Sequence, residues 1–182
     1  MRKFAVLLLL AASCAAEKPK DSEIARKAFE DWAKSAVAGD AEKTLAGFSD
    51  AKKSEWLFDR FMENHVIVRR WRGELTGEAR THLDLWIGVA KRNGNGRDAP
   101  LQPIVLDHPS FAPMFREFFL LTAQGIKDSL SKLEIAQVYG DDSGVTVAVR
   151  SGPGAPTELY GLVFESGRWK IDTYRQPLNG GR

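Results

Sequence analysis

The sequence predicts an α+β fold, with N-terminal helices packed on a C-terminal curved antiparallel β-meander and an elaborated helical middle section. Two observations carry that prediction. From Asp21 to about Thr122, apolar residues recur at the three-to-four spacing of a helix face; after about Ser131 the period drops to two. The period-two segments are joined by short connections, which only antiparallel neighbours allow. Helices first and strands last is the arrangement in which helices cover one face of a sheet.

The elements follow in order. Ile24, Ala25, Ala28, Phe29, Trp32, Ala33, Ala36 and Val37 share one helix face, with Asp21 or Ser22 to cap the start and Gly39 to close the end. Asp40 opens a short helix through Leu45, ended by Gly47. Ser49-Asp50 caps the next, along which Trp56, Leu57, Phe61, His65 and Val68 fall roughly on one face. Its end is open, because Val66-Ile67-Val68 favours a strand. Thr76 to Arg92 reads as helix with Leu83, Trp86, Ile87 and Ala90 inward, and Asn93-Gly94-Asn95-Gly96 ends it. A loop with Pro100 and Pro103 leads to Ser110–Thr122, whose face carries Phe111, Met114, Phe115, Phe118 and Phe119.

In the strand half, Leu133, Ile135 and Tyr139 alternate with polar neighbours, a pattern blurred by Ala136 and Val138. Asp141-Asp142-Ser143-Gly144 is turn chemistry. Val145, Val147 and Val149 alternate with Thr146, Ala148 and Arg150, and Ser151 to Pro156 is a Gly/Pro loop. Thr157–Glu165 and Arg168–Tyr174 complete the meander around Ser166-Gly167. Within the last strand Trp169 and Ile171 are expected to face the core, and Arg168, Lys170 and Asp172 to face away.

The chain has 182 residues, 43% hydrophobic and 27% charged, the composition of an ordinary globular protein of one domain. Its net charge of +2 has a narrow origin: residues 1–13 hold Arg2 and Lys3 and no acid, and without those two the 26 Lys+Arg fall to the number of Asp+Glu, 24. A neutral remainder argues against a dedicated nucleic-acid binder, which needs a net basic surface.

Met1-Arg2-Lys3 followed by the apolar run Phe4–Ala12 is too short to span a bilayer and reads as an export signal over residues 1–13. Leu10-Ala11-Ala12-Ser13-Cys14 resembles a bacterial lipobox, with Ala11 at the position where Leu is usual. That resemblance implies lipidation of Cys14, a tether over residues 14–20 and attachment to a lipid bilayer. Residue two after processing would be Ala15, which by the same resemblance implies the outer membrane, facing the periplasm, in a diderm organism. The plainer alternative is a secretory signal cut after Ala15 or Ala16. Cys14 is the sole cysteine, which excludes an internal disulfide and a Cys-rich zinc site, and acylation gives an exported lone thiol a use. Residues 21–175 then form a single α+β domain, and 176–182 a flexible tail.

Two segments, Ala-Phe-Glu-Asp-Trp-Ala-Lys-Ser-Ala-Val-Ala-Gly-Asp at 28–40 and Leu-Val-Phe-Glu-Ser-Gly-Arg-Trp-Lys-Ile-Asp at 162–172, are similar to the nuclear-transport-factor-2-like superfamily, the cystatin-like cone fold. Residues 50–130 depart from its plan by being longer and more helical. The resemblance implies a cone with an apolar interior, and in the superfamily's enzymes an Asp or His inside it. The candidates here are His65, His82, Asp107 and His108. For His65 and His82 the plainer reading is a hydrogen-bonded histidine at the core boundary; for Asp107-His108 it is turn and capping chemistry ahead of a helix. Their spacing lacks the i,i+4 pattern of a zinc motif, so neither metal nor cofactor is expected. Trp32, Phe115, Phe119 and Trp169 are the expected lining of an apolar ligand pocket, with plain core as the alternative for the Phe111–Phe119 stripe. Arg69-Arg70-Trp71-Arg72 is the densest basic run; it suits either an anionic envelope component or a helix C-terminus stopped at Gly73.

The sequence therefore reads as a membrane-anchored envelope lipoprotein that binds a small apolar ligand or an envelope protein without catalysis. An isomerase- or cyclase-like enzyme is the first alternative. A scaffold that forms a homodimer through the outer face of the sheet is the second.

Overall fold

The computed structural model describes residues 19–141 and 144–175. The expected export signal, Cys14 and the expected 176–182 tail lie outside them. Helix α1 runs Pro19–Val37, three residues earlier than a cap at Asp21 predicts. Proline at a first helical turn gives up an N–H that would have had no partner, so the helix takes in part of the expected tether and places Asp21 and Ser22 inside it rather than at a cap. Ala25, Phe29 and Ala36 are buried, while Ile24 is exposed rather than part of the inward face. Asp40 caps α2 (Ala41–Ala46) by accepting from the Lys43 N–H at 3.0 Å.

Ser49 caps α3 (Asp50–Met62), which stops at Glu63-Asn64, and Asn64 adopts φ +59°. The β-branched run that follows is helix, α4 (Val66–Glu74), because Ile67, Val68 and Trp71 are buried and packing overrides local propensity. Gly73 lies inside its last turn rather than stopping it. The basic run on α4 is consumed locally. Arg70 pairs with Glu117, Arg72 with Asp84 at 2.9 Å, and Arg69 lies 4.7 Å over the Phe61 ring.

Helix α5 (Gly77–Asn93) buries Leu83, Trp86, Ile87 and Ala90 and ends at left-handed Gly94. The loop that follows is pinned by Leu101 N donating to Ser54 Oγ at 2.9 Å and Trp86 Nε1 donating to the Ala99 carbonyl. A Cβ at Gly96 would lie 2.5 Å from the Ser54 carbonyl oxygen, so glycine alone allows that approach. A short α6 (Pro103–Leu106) leads to α7 (Phe111–Leu130), whose Phe111, Met114, Phe115, Phe118 and Phe119 are all buried. Helix α7 runs eight residues beyond Thr122. The apolar spacing continues through Ile126 and Leu130, and a single interior glycine, Gly125, does not stop a helix packed along its length.

Strands β1 (Glu134–Asp141), β2 (Gly144–Arg150), β3 (Glu158–Glu165) and β4 (Arg168–Arg175) form one antiparallel sheet in sequential order. The fold is thus α+β, helices first and meander last. A bulge between Ile135 and Gln137 explains the blurred alternation of β1. It carries Ile135 and Val138 inward and leaves Tyr139 46% exposed, where the sequence pattern had placed it inward. Val145, Val147, Val149, Tyr160, Leu162 and Ile171 supply the buried inner face, and Ala148 is buried as well. Ser166 (φ +54°) and Gly167 (φ +79°) make the tight β3–β4 hairpin, both central residues being left-handed.

The last strand departs from simple alternation. Lys170 and Asp172 are only 5% and 7% exposed, although both were expected to face away. A bulge shifts the register after Ile171, and residues 47–49 run beside the outer edge of β4, with Ser49 N donating to the Ile171 carbonyl (2.9 Å) and Ile171 N to the Gly47 carbonyl (2.8 Å). Asp172 accepts from Ser49 Oγ at 2.6 Å and pairs with Arg97. Lys170 pairs at 2.7 Å with Glu165, whose carboxylate also accepts from Asp50 N at 3.3 Å at the start of α3. These charges are buried because each is paired and hydrogen-bonded.

Candidate functional site

The inner face of the sheet and the aromatic faces of α1, α3 and α7 do not close fully on one another. Between them lies a cavity of about 500 Å³, within the range usual for small-molecule sites. Helix α1 presents Trp32, the turn after α2 presents Phe48, and α3 presents Lys52 and Trp56 one helical turn apart. The longest wall is α7, where Phe115, Phe118, Phe119, Thr122, Ile126, Ser129 and Leu130 lie along one helix face. Tyr160 from β3 and Ile171 and Tyr174 from β4 close the sheet side.

The wall is held by ring packing. Trp56 and Phe115 have centroids 4.8 Å apart, Trp32 and Tyr160 5.8 Å, and Tyr160 and Tyr174 4.9 Å. Gly125 also lines the space, and a Cβ built there would meet nothing within 4 Å. Several polar groups on the wall are already engaged. Thr44 donates to the Asp40 carbonyl at 2.7 Å, Thr122 to the Phe119 carbonyl at 3.2 Å, and Tyr174 to Glu158 at 3.1 Å. Burial, and then the charge of Glu158, push the Tyr160 phenol well above its ordinary value, so it stays neutral. Lys52 stands 3.3 Å from Glu55 and is the one charged group among the described wall residues. The arrangement is suited to holding an apolar body, with few groups left to orient it.

Of the residues the sequence singles out for a pocket, Trp32, Phe115 and Phe119 meet at this cavity. Trp169 does not line it; it packs edge-on to Phe164 near the β3–β4 hairpin, with centroids 5.6 Å apart. None of the titratable candidates lines the cavity, although His65 packs behind its wall against Phe118, and the contacts bring them to no common centre. His65 begins α4, with its ring edge-on to Phe118 at 4.6 Å, and its buried Nδ1 has no hydrogen-bond partner among the described residues. It is therefore held by ring packing rather than by the hydrogen bond expected of it. His82 is half-buried, 3.6 Å from Glu78 one turn before it. Asp107 is exposed and ends α6, while His108 Nδ1 lies 2.7 Å from Ser110 Oγ and accepts from Ser110 N within the turn ahead of α7. Ser110 Oγ in turn accepts from Trp71 Nε1 at 2.8 Å, so this Ser–His contact is tied into the packing. Among the described residues no group of three or more His, Cys, Asp and Glu could hold a metal, and no helix is long and apolar enough to cross a membrane.

Sequence reasoning missed Lys52, Trp56, Tyr160, Tyr174 and the second half of α7. The Lys52–Trp56 spacing and the run from Thr122 to Leu130 were signals available in the sequence. The tyrosine pair was not, because it depends on the β3–β4 register that sets Tyr160 opposite Tyr174. Comparison with protein-family models, with curated proteins and with solved structures finds no match to this chain.

Proposed function

We propose that the protein is an exported, lipid-anchored envelope protein whose α+β domain, of the cone-like kind, binds a small apolar ligand without transforming it. The observation that carries this reading is the cavity of about 500 Å³ walled by Trp32, Trp56, Phe115 and Phe119. An apolar guest gains from leaving water at roughly 25 cal/mol per Å² of surface buried, and rigid aromatic walls lose little freedom in accepting it. The acid–base alternative needs an imidazole or carboxylate on the wall, and His65, His82, Asp107 and His108 are not on it.

Filling the cavity from Gly125 tests the reading. That position has open space around its Cβ and lies inside α7, where a side chain favours the helix. The protein in lipid nanodiscs is titrated with N-phenylnaphthylamine, with empty discs as background. Saturable enhancement is expected for the native chain, with affinity reduced at least about tenfold in Gly125→Phe and an unfolding midpoint that does not fall. Equal binding by both chains, or no binding above empty discs, would rule the cavity out as a ligand site.

A further inference from the structure

We infer that the ligand is an amphiphile with a single carboxylate head, a long-chain fatty acid or a close chemical relative, with Lys52 as the residue that selects the head. This rests on the reading of the cavity as a ligand site. The wall is apolar and aromatic along α1 and α7, so it selects an apolar body without setting its direction. Direction requires a polar group at one place, and charge is present at one place: Lys52, on the α3 side, with no described acid on the wall to oppose it from within.

Lys52 is well placed for that role. Its side chain is only 17% exposed, so its ammonium is poorly screened and a carboxylate beside it would gain more than at an open surface. Of its three N–H donors, one is directed to Glu55 at 3.3 Å, a long contact for a charged pair. Glu55 is also approached by Arg97 at 3.7 Å, so the glutamate is not Lys52's alone. An ammonium held by one long contact retains donors for a guest. Two carboxylates already lie near α3, Glu55 and Asp59. A dianionic head such as a phosphate monoester would meet their repulsion more strongly than a single carboxylate, and a cationic head would meet Lys52. The hydroxyls of Thr44 and Thr122 are turned to their own helix carbonyls, and the buried Trp32 Nε1, without a partner among the described residues, is a neutral donor, so Lys52 alone on the described wall distinguishes a charged head from an uncharged one.

The test compares ligands of one chain length. N-phenylnaphthylamine, which carries no carboxylate, is bound to the protein in nanodiscs and displaced by dodecanoate or by dodecanol, for the native chain, Lys52→Met and Lys52→Arg. The native chain is expected to prefer dodecanoate by about tenfold or more, as one partly buried charge-assisted contact supplies. Lys52→Met should abolish that preference while leaving dodecanol binding nearly unchanged, and Lys52→Arg should keep it. Equal affinity of the native chain for the two, or a preference that survives in Lys52→Met, would overturn the assignment of Lys52. The cavity reading would still stand if dodecanol binding is lost in Gly125→Phe. Binding of neither compound to the native chain would overturn both.

Discussion

Asp59 on α3 illustrates how a single carboxylate can weaken the fold it belongs to. Partial desolvation, and next the charge of Glu55 one turn earlier, raise its carboxyl above the ordinary aspartate value, with Arg60 and Lys52 opposing. The folded chain therefore binds this proton more tightly than the unfolded chain, so stability falls as pH rises past the ordinary carboxylate range. Asp59→Asn should raise the unfolding midpoint at neutral pH, and the gain should vanish below about pH 4. Because this carboxylate is largely open to solvent, screening keeps the gain under about 0.5 kcal/mol. Thermal unfolding of the two chains from pH 3.5 to 8 measures it, and a larger gain in acid than at neutrality would contradict the sign. At this scale the sequence was informative about residues that act alone. Asp40, Ser49 and Gly167 occupy the cap and turn positions read for them, since a cap or a tight turn involves only a few neighbouring residues.

Among the elements, α3 is where helices and sheet are joined. Its start is tied to β4 by Ser49 on Asp172 and to the end of β3 by Asp50 N on Glu165, and Arg97, from the loop after α5, binds both the carboxylate and the carbonyl of Asp172. Ser49→Ala removes the cap of α3 and one partner of a buried carboxylate, and is expected to cost about 1–2 kcal/mol. Arg97→Met strips the cation from Asp172 and is expected to cost about 2 kcal/mol or more. In a domain of this size each kcal/mol lowers the midpoint by roughly 2–4 °C. Denaturant unfolding of both variants checks the order, and an Arg97→Met chain as stable as the native one would show that Asp172 needs no counter-charge. None of this was legible from alternation alone. Lys170 and Asp172 looked outward because a two-residue period describes a free strand, whereas the edge of β4 is covered by residues 47–49 and Asp172 reaches Arg97 across 75 positions of sequence.

For the molecule as a whole, the helical half and the sheet half share one core, and the cavity is what remains where six elements and a turn meet imperfectly. Its place in the proposed biology depends on the segment before α1. Two acyl chains on one cysteine hold a protein stably on a bilayer, where a single chain holds it marginally. Cys14→Ser should therefore abolish incorporation of labelled palmitate and shift the protein from the membrane pellet to unprocessed or released forms. A Cys14→Ser chain that is still processed and still pellets with membranes would exclude the lipid anchor. The same variant separates anchoring from ligand binding, because Cys14 precedes the described domain and the cavity wall begins at Trp32.

The sequence by itself determined the order of elements, the switch from helix to strand near Ser131, most of the buried faces, and the origin of the net charge in Arg2 and Lys3. These follow from the 3.6- and 2-residue periods and from turn chemistry, which act over a few neighbouring residues. Tertiary structure alone decided that Val66–Val68 is helix and that bulges in β1 and β4 reset which side chains face inward. It also decided that Lys52, Tyr160 and Tyr174 share a cavity with Trp32 and Phe119 while Trp169 does not. A cavity is a failure of distant surfaces to meet, and its position depends on every packing angle and register in the fold at once.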